Sequence, residues 1–195
     1  MAGDKSDRAS SGLLIVVRVA TCMLVSYNIG VPILLDADAL IKLHRSGVLE
    51  HIARTFDCII PEAVYHEVVT RGREFKHPDA EEIERIIRAG IVVEPPVREE
   101  PDITETPGVD AGERALLALY HSFPAGENLT IVSDDRRFLA LLECLEIPAL
   151  VPADFIVLMV RQGFLPRREA SNALEQMRNL IRETGCQQVL RDLEE

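Results

Sequence analysis

From Val31 onward, apolar residues fall into short continuous runs separated by longer segments in which they recur every three or four positions. Ile33-Leu34-Leu35, Cys58-Ile59-Ile60, Ile91-Val92-Val93, Leu129 to Val132 and Ala149-Leu150-Val151 are the runs. All-apolar runs of this length read as short strands buried on both faces, the habit of parallel sheets. The intervening pattern predicts two short helices over 38–44 and 46–55, around Gly47. A third helix runs to about Thr70, with Pro61 in its first turn and Gly72 ending it. A fourth opens at Pro78-Asp79, runs to Ala89 and is capped by Gly90. Residues 94–109 are rich in proline and acid and read as a loop. Helices follow over 110–123, 135–145, 153–162 and 167–183. Strands alternating with helices predict an α/β protein: a three-layer α/β/α sandwich with a mainly parallel sheet of about five strands. No internal repeat is visible.

Residues 1–30 do not share this pattern. Residues 1–11 are small and polar, and 12–35 form an apolar stretch broken by Arg18, Ser26 and Asn28. About 20 apolar residues suffice to span a bilayer, but Arg18 lies inside the stretch and no basic cluster flanks it. The expectation is therefore no membrane span, with an N-terminal anchor as the minor alternative. The first eight residues carry no net positive charge, against a secretory leader. Two readings of 12–25 stay open: an extra element packed on the domain, or sequence upstream of a natural start at Met23. The expected organisation is an N-terminal extension (1–30), one domain (31–183) and a C-terminal tail (184–195).

A chain of 195 residues, 47% of them apolar, supports one hydrophobic core without disulfides. Cys22, Cys58, Cys144 and Cys186 stand alone, which argues against a zinc site or a redox dithiol and suits a cytoplasmic location. A net charge of −11 opposes general nucleic-acid binding, although a local basic rim and bound cations can offset it near a site. Aromatic residues make up 5% and Trp is absent, so base stacking is not expected to be the main binding mode.

The candidate chemistry is acidic. Asp36 and Asp38 follow the first strand, and Asp134 and Asp135 follow the fourth. Asp110 and Glu113 open a helix, and Glu67 lies on another. In an open α/β sheet the functional crevice lies beyond the carboxyl ends of the strands. Carboxylates gathered there repel each other unless a hard cation holds them, and all-oxygen sites select Mg²⁺, Mn²⁺ or Ca²⁺. Each position also has a structural alternative. Asp38 could be an N-cap. Glu67 could sit on a solvated helix face. Asp110 and Glu113 match a capping box. The segment His66-Glu67-Val68-Val69-Thr70 lacks the second histidine of a zinc-protease helix, and His44, His51, His66, His77 and His121 show no ligand spacing.

In order and wording these motifs resemble the PIN domain family. Ile-Leu-Leu-Asp36-Ala-Asp38, Pro-Glu-Ala-Val-Tyr-His-Glu67-Val, Asp110-Ala-Gly-Glu113-Arg-Ala-Leu-Leu and Ile-Val-Ser133-Asp134-Asp135-Arg-Arg look like its four successive motifs. The likeness is nearest to prokaryotic PIN proteins related to VapC-type toxin ribonucleases. It implies a ribonuclease dependent on Mg²⁺ or Mn²⁺, with Asp36, Glu67, Glu113 and Asp135 as the acidic quartet. Asp36, Glu113, Asp134 and Asp135 are the expected metal residues, with Glu67 orienting the attacking water. Asp38, Asp110 and Ser133 are expected auxiliaries. Asp38 stands where the family more often has a hydroxyl or amide. Arg71, Arg73 and Lys76, together with Arg136 and Arg137, are candidates for contacting substrate phosphates, with RNA as the substrate. The resemblance also brings in a cognate antitoxin and a homodimer as partners. The dimer expectation draws further on the apolar positions Leu40, Leu43, Leu49, Ile52, Val64, Val68, Ile83, Ile86 and Ile87: one sheet face cannot cover all of them, most are ordinary core, and a remaining exposed patch would mark an interface. Two other classes stay open: a PIN-fold binding module with little cleavage, and a phosphohydrolase or phosphoacceptor. The last would call for a strand-end lysine, whereas Lys42 falls on a helix.

Overall fold

The computed structural model describes residues 32–97, 108–124 and 127–178. The expected extension, the tail, most of the 94–109 loop and the end of the last expected helix lie outside the described residues. The strands are β1 (Ile33–Leu35), β2 (Cys58–Pro61), β3 (Ile91–Glu94), β4 (Thr130–Val132) and β5 (Ala149–Leu150). They form one sheet in the order β3-β2-β1-β4-β5, and every pairing is parallel. The expectation of a mainly parallel sheet is met by a wholly parallel one. Ile33, Leu34, Leu35, Ile131 and Val132 have no exposed surface, as central strands covered on both faces require.

The helices are α1 (Ala37–Arg45), α2 (Leu49–Thr55), α3 (Glu62–Tyr65), α4 (Ala80–Gly90), α5 (Ala111–Ser122), α6 (Arg136–Cys144), α7 (Pro152–Arg161) and α8 (Arg167–Met177). The chain steps β1 to β2 to β3 in one direction, then returns to place β4 on the other side of β1. Right-handed crossovers put the helices of the two directions on opposite faces of the sheet. Among the described residues no helix is long and apolar enough to cross a membrane.

Several boundaries differ from the expected ones. Ser46-Gly47 form a turn, so α2 begins at Leu49 and not at 46. Pro61 belongs to the end of β2, with extended backbone (φ −70°, ψ 154°), and precedes the helix instead of opening it. Gly72 does not stop the third helix. After α3 the chain widens into a π-helical segment, His66–Arg71, and remains helical over Gly72–Glu74. It reverses at Phe75-Lys76, where Lys76 takes a φ of +56°. Gly90 is the last residue of α4, and close approach explains the glycine. A Cβ there would lie 2.6 Å from the carbonyl oxygen of Ala53.

Candidate functional site

The strand order reverses between β1 and β4. Such a switch point opens a crevice at the carboxyl ends of the two strands, and ligands of α/β proteins bind there. The register Leu35↔Val132 brings the next residues of both strands, Asp36 and Ser133, side by side. The Asp36 amide donates to the carbonyl of Val132 at 3.1 Å. Ser133, fully buried, donates its hydroxyl to Oδ2 of Asp36 and accepts the amide of Asp135 at 3.2 Å. One serine therefore fixes residues from both strand ends.

Asp36 is only 8% exposed. Burial pushes its carboxyl up to about 6, and the charge of Asp38 adds to this. The Ser133 hydroxyl and the amides of Ala37 and Asp38 oppose the rise. Asp36 stands at the N-cap position of α1 but closes no side-chain cap hydrogen bond. Asp38 is therefore not the N-cap; it lies exposed in the first helical turn. Neither carboxylate is consumed in capping α1.

Asp135 does cap its helix. Its Oδ1 accepts the amides of Arg137 and Phe138, both at 2.8 Å. Its Oδ2 has no hydrogen bond from the described residues. Asp134, beside it, forms an ion pair with Lys42 on α1. The lysine thus neutralises one member of the expected metal set.

The capping-box reading of Asp110 and Glu113 holds. The capping box is complete: Asp110 Oδ1 accepts the Glu113 amide, and Glu113 Oε2 accepts the Asp110 amide, each at 2.9 Å. The same Glu113 faces the switch point. Burial raises its carboxyl to about 7, and the charges of Asp110, Asp135 and Asp36 add to the rise, against the hydrogen bond from the Asp110 backbone.

Glu67 arrives on the π-helical segment, a conformation frequent at functional sites. Its carboxyl is raised, first by partial burial and then by Asp110 and Asp38, while Arg71 opposes. Gly112 allows this approach: a Cβ there would sit 3.3 Å from Glu67 Oε2 and 3.4 Å from Asp110 Oδ1. The sequence reading quoted Gly112 inside the third motif without giving it a role.

The basic candidates divide. Arg73 is committed to the buried carboxylate of Glu84, which also accepts the hydroxyl of Tyr65 at 2.9 Å and a bond from Arg88 at 2.7 Å. Arg71 and Lys76 are exposed, as are Arg136 and Arg137 at the start of α6. The pairing of Lys42 with Asp134 is a feature that motif reading missed.

Asp36, Glu113, Asp135, Asp110, Glu67 and Asp38 thus ring one crevice. The donors are hard oxygens, and burial, with the neighbouring carboxylates adding to it, holds the Asp36 and Glu113 carboxyls above their ordinary range. That chemistry fits a hard divalent ion. As they stand, no three His, Cys, Asp or Glu side chains among the described residues form a ready-made cage. Asp36, Glu113 and Asp135 are the residues that would hold such an ion.

The protein is an α/β protein with an all-parallel sheet and carboxylates at its switch point. A family model described as a PIN domain matches residues 32–195, and the chain belongs to the PIN domain family. No curated protein and no solved structure matches the chain.

Proposed function

We propose that this protein is a divalent-metal-dependent endoribonuclease that cleaves RNA phosphodiester bonds. The observation that carries the reading is the meeting of Asp36, Glu113 and Asp135 at the β1–β4 switch point, with Asp36 buried and locked by Ser133. A bound Mg²⁺ or Mn²⁺ supplies charge neutralisation of the scissile phosphate and acidifies water to a nucleophile. The chain's own residues do the positioning. Ser133 holds the Asp36 carboxylate in one orientation. The helix cap on Asp135 Oδ1 and the capping box on Glu113 Oε2 leave one oxygen of each for the site. Glu67 stands at the rim, placed to accept a hydrogen bond from an attacking water. Arg71, Lys76, Arg136 and Arg137 supply positive charge for flanking phosphates. The resemblance to VapC-type proteins supports a toxin–antitoxin setting, with a cognate antitoxin, a homodimer and a cytoplasmic location.

The test is cleavage of a labelled RNA pool in Mn²⁺, in Mg²⁺ and in EDTA. Cleavage in the metals and none in EDTA, lost in Asp36→Asn, supports the reading. A second reading is favoured by one observation: Lys42 already neutralises Asp134, and the acidic groups do not form a closed cage. In that reading the fold binds RNA or protein and cleaves little. RNA retention with no cleavage in either metal would select it.

A further inference from the structure

We propose that the cavity next to Glu67 is a binding subsite for one unpaired nucleotide of RNA, with Phe75 as the face on which its base stacks. The inference deepens the ribonuclease reading and rests on it for the identity of the polymer. The cavity has a volume of about 400 Å³, within the range of about 300–1,000 Å³ typical of small-ligand sites. Asp38 and Glu67, two of the acidic candidates, line it, together with Arg71, Phe75 and His77.

Phe75 is 67% exposed, the most exposed large apolar side chain among the described residues. The chain reversal at Lys76 turns both Phe75 and His77 to the cavity, their ring centroids 6.3 Å apart. An exposed ring beside a cavity is costly for the folded chain and useful to a ligand with a flat face. Of the cavity's other cations, Lys42 pairs with Asp134 and Arg45 with Asp79. Arg71 forms no ion pair with the described residues and is left for an incoming anion.

Aromatic face, cation and carboxylate are the three groups that base, phosphate and ribose each require. The carboxylates of Asp38 and Glu67 accept hydrogen bonds, and a ribose 2′-hydroxyl donates one where deoxyribose has none. A single ring also accords with an aromatic-poor chain: one stacked base, not a stacking track.

The experiment measures fluorescence anisotropy of labelled octauridylate with the full chain, in EDTA and at low ionic strength. Phe75→Ala should weaken binding about 10-fold, and Phe75→Trp should restore it. Arg71→Gln should weaken binding, whereas Asn172→Ala, at an exposed position outside the cavity lining, should not. An oligonucleotide of abasic riboses should bind wild type and Phe75→Ala alike, and the deoxy form of the octamer should bind more weakly than the ribo form. Equal affinity of wild type and Phe75→Ala for octauridylate would overturn the proposal, as would an equal loss on the abasic chain. A changed mass of Phe75→Ala with unchanged RNA affinity would assign the ring to a contact between copies and also overturn it. Without metal no turnover is read, so the two proposals fail separately. Phe75-dependent binding without cleavage in Mn²⁺ removes the nuclease and keeps the subsite. Cleavage by a chain whose affinity ignores Phe75 does the reverse.

Discussion

At the residue scale, Asp110, Glu113 and Asp135 bond helix-start amides while their charges lie beside Asp36 or one another, and this shapes what substitutions will do. Asp135→Asn keeps a capping side chain and removes a site charge. Asp36→Asn removes a buried charge that burial already disfavours. Both should therefore abolish RNA cleavage while leaving the metal-free melting temperature unchanged or higher. Full activity of either variant in Mg²⁺ would remove that residue from the site. Ser133→Ala should act more mildly, about 10–100-fold on activity, because it frees Asp36 to turn without removing its charge. The raised carboxyls also set a pH dependence. Asp36 and Glu113 titrate near 6 and 7 in the fold, above their ordinary values of 3.8 and 4.5. Across that window the folded state holds more protons than the unfolded chain, so stability is lost as pH rises through it. In EDTA the melting temperature should fall between about pH 5 and about pH 7.5, and Asp36→Asn should flatten part of the fall. Thermal scans across that range check it; a rise with pH would mean the two carboxyls are not raised. The sequence made all of these carboxylates but Glu67 legible because each follows an apolar run or opens a helix. It hid the Lys42–Asp134 pair, whose members lie 92 positions apart and meet only where α1 passes the end of β4.

At the element scale, strands were easier to read than helix ends. An all-apolar run such as Ile33-Leu34-Leu35 admits few placements, whereas a helix end depends on what packs beside it. Gly72 and Gly90 show the difficulty. Both read as stops, yet Gly72 keeps a helical backbone, and Gly90 is required because α4 passes over the carbonyl of Ala53. The π-helical segment carrying Glu67 leaves no mark that propensity rules detect. Two glycine substitutions separate packing from function here. Gly90→Ala forces backbone apart and should destabilise the fold by about 1–3 kcal/mol. Gly112→Ala meets only the Glu67 and Asp110 carboxylates and a Val64 methyl, at 3.3–3.5 Å. It should cost little stability, since alanine is the better helix former, but should displace Glu67 and lower cleavage. Chemical denaturation of both variants beside RNA cleavage by Gly112→Ala decides this; equal destabilisation with unchanged activity would detach Gly112 from the site.

At the scale of the whole molecule, the apolar count misled in one respect. Leu40, Leu43, Leu49, Ile52, Val64, Val68, Ile83, Ile86 and Ile87 are all buried within the single chain. The sheet does not cover them alone: α1, α2, the π-helical segment and α4 pack on one another, and α7 and α8 close over α1. Periodicity gives the apolar face of each helix but not the helix that will cover it, so these residues leave no patch for a partner. Among the described residues, the large apolar side chains exposed outside the cavity wall are Val92, at 53%, and Val93, at 37%, on the edge strand β3. An edge strand offers unpaired backbone groups, and adjacent apolar side chains make it a ready contact. A two-fold pairing would bury the same strand of both copies, the usual form of a closed pair. The expected result is a homodimer: light scattering of the full chain at micromolar concentration should give a mass near twice 21.7 kDa. Val92→Lys should return it to the mass of one chain while leaving the melting curve cooperative, because the side chain already faces solvent in the monomer. A wild-type mass of one chain would remove the dimer. A dimer indifferent to Val92→Lys would place the contact away from β3.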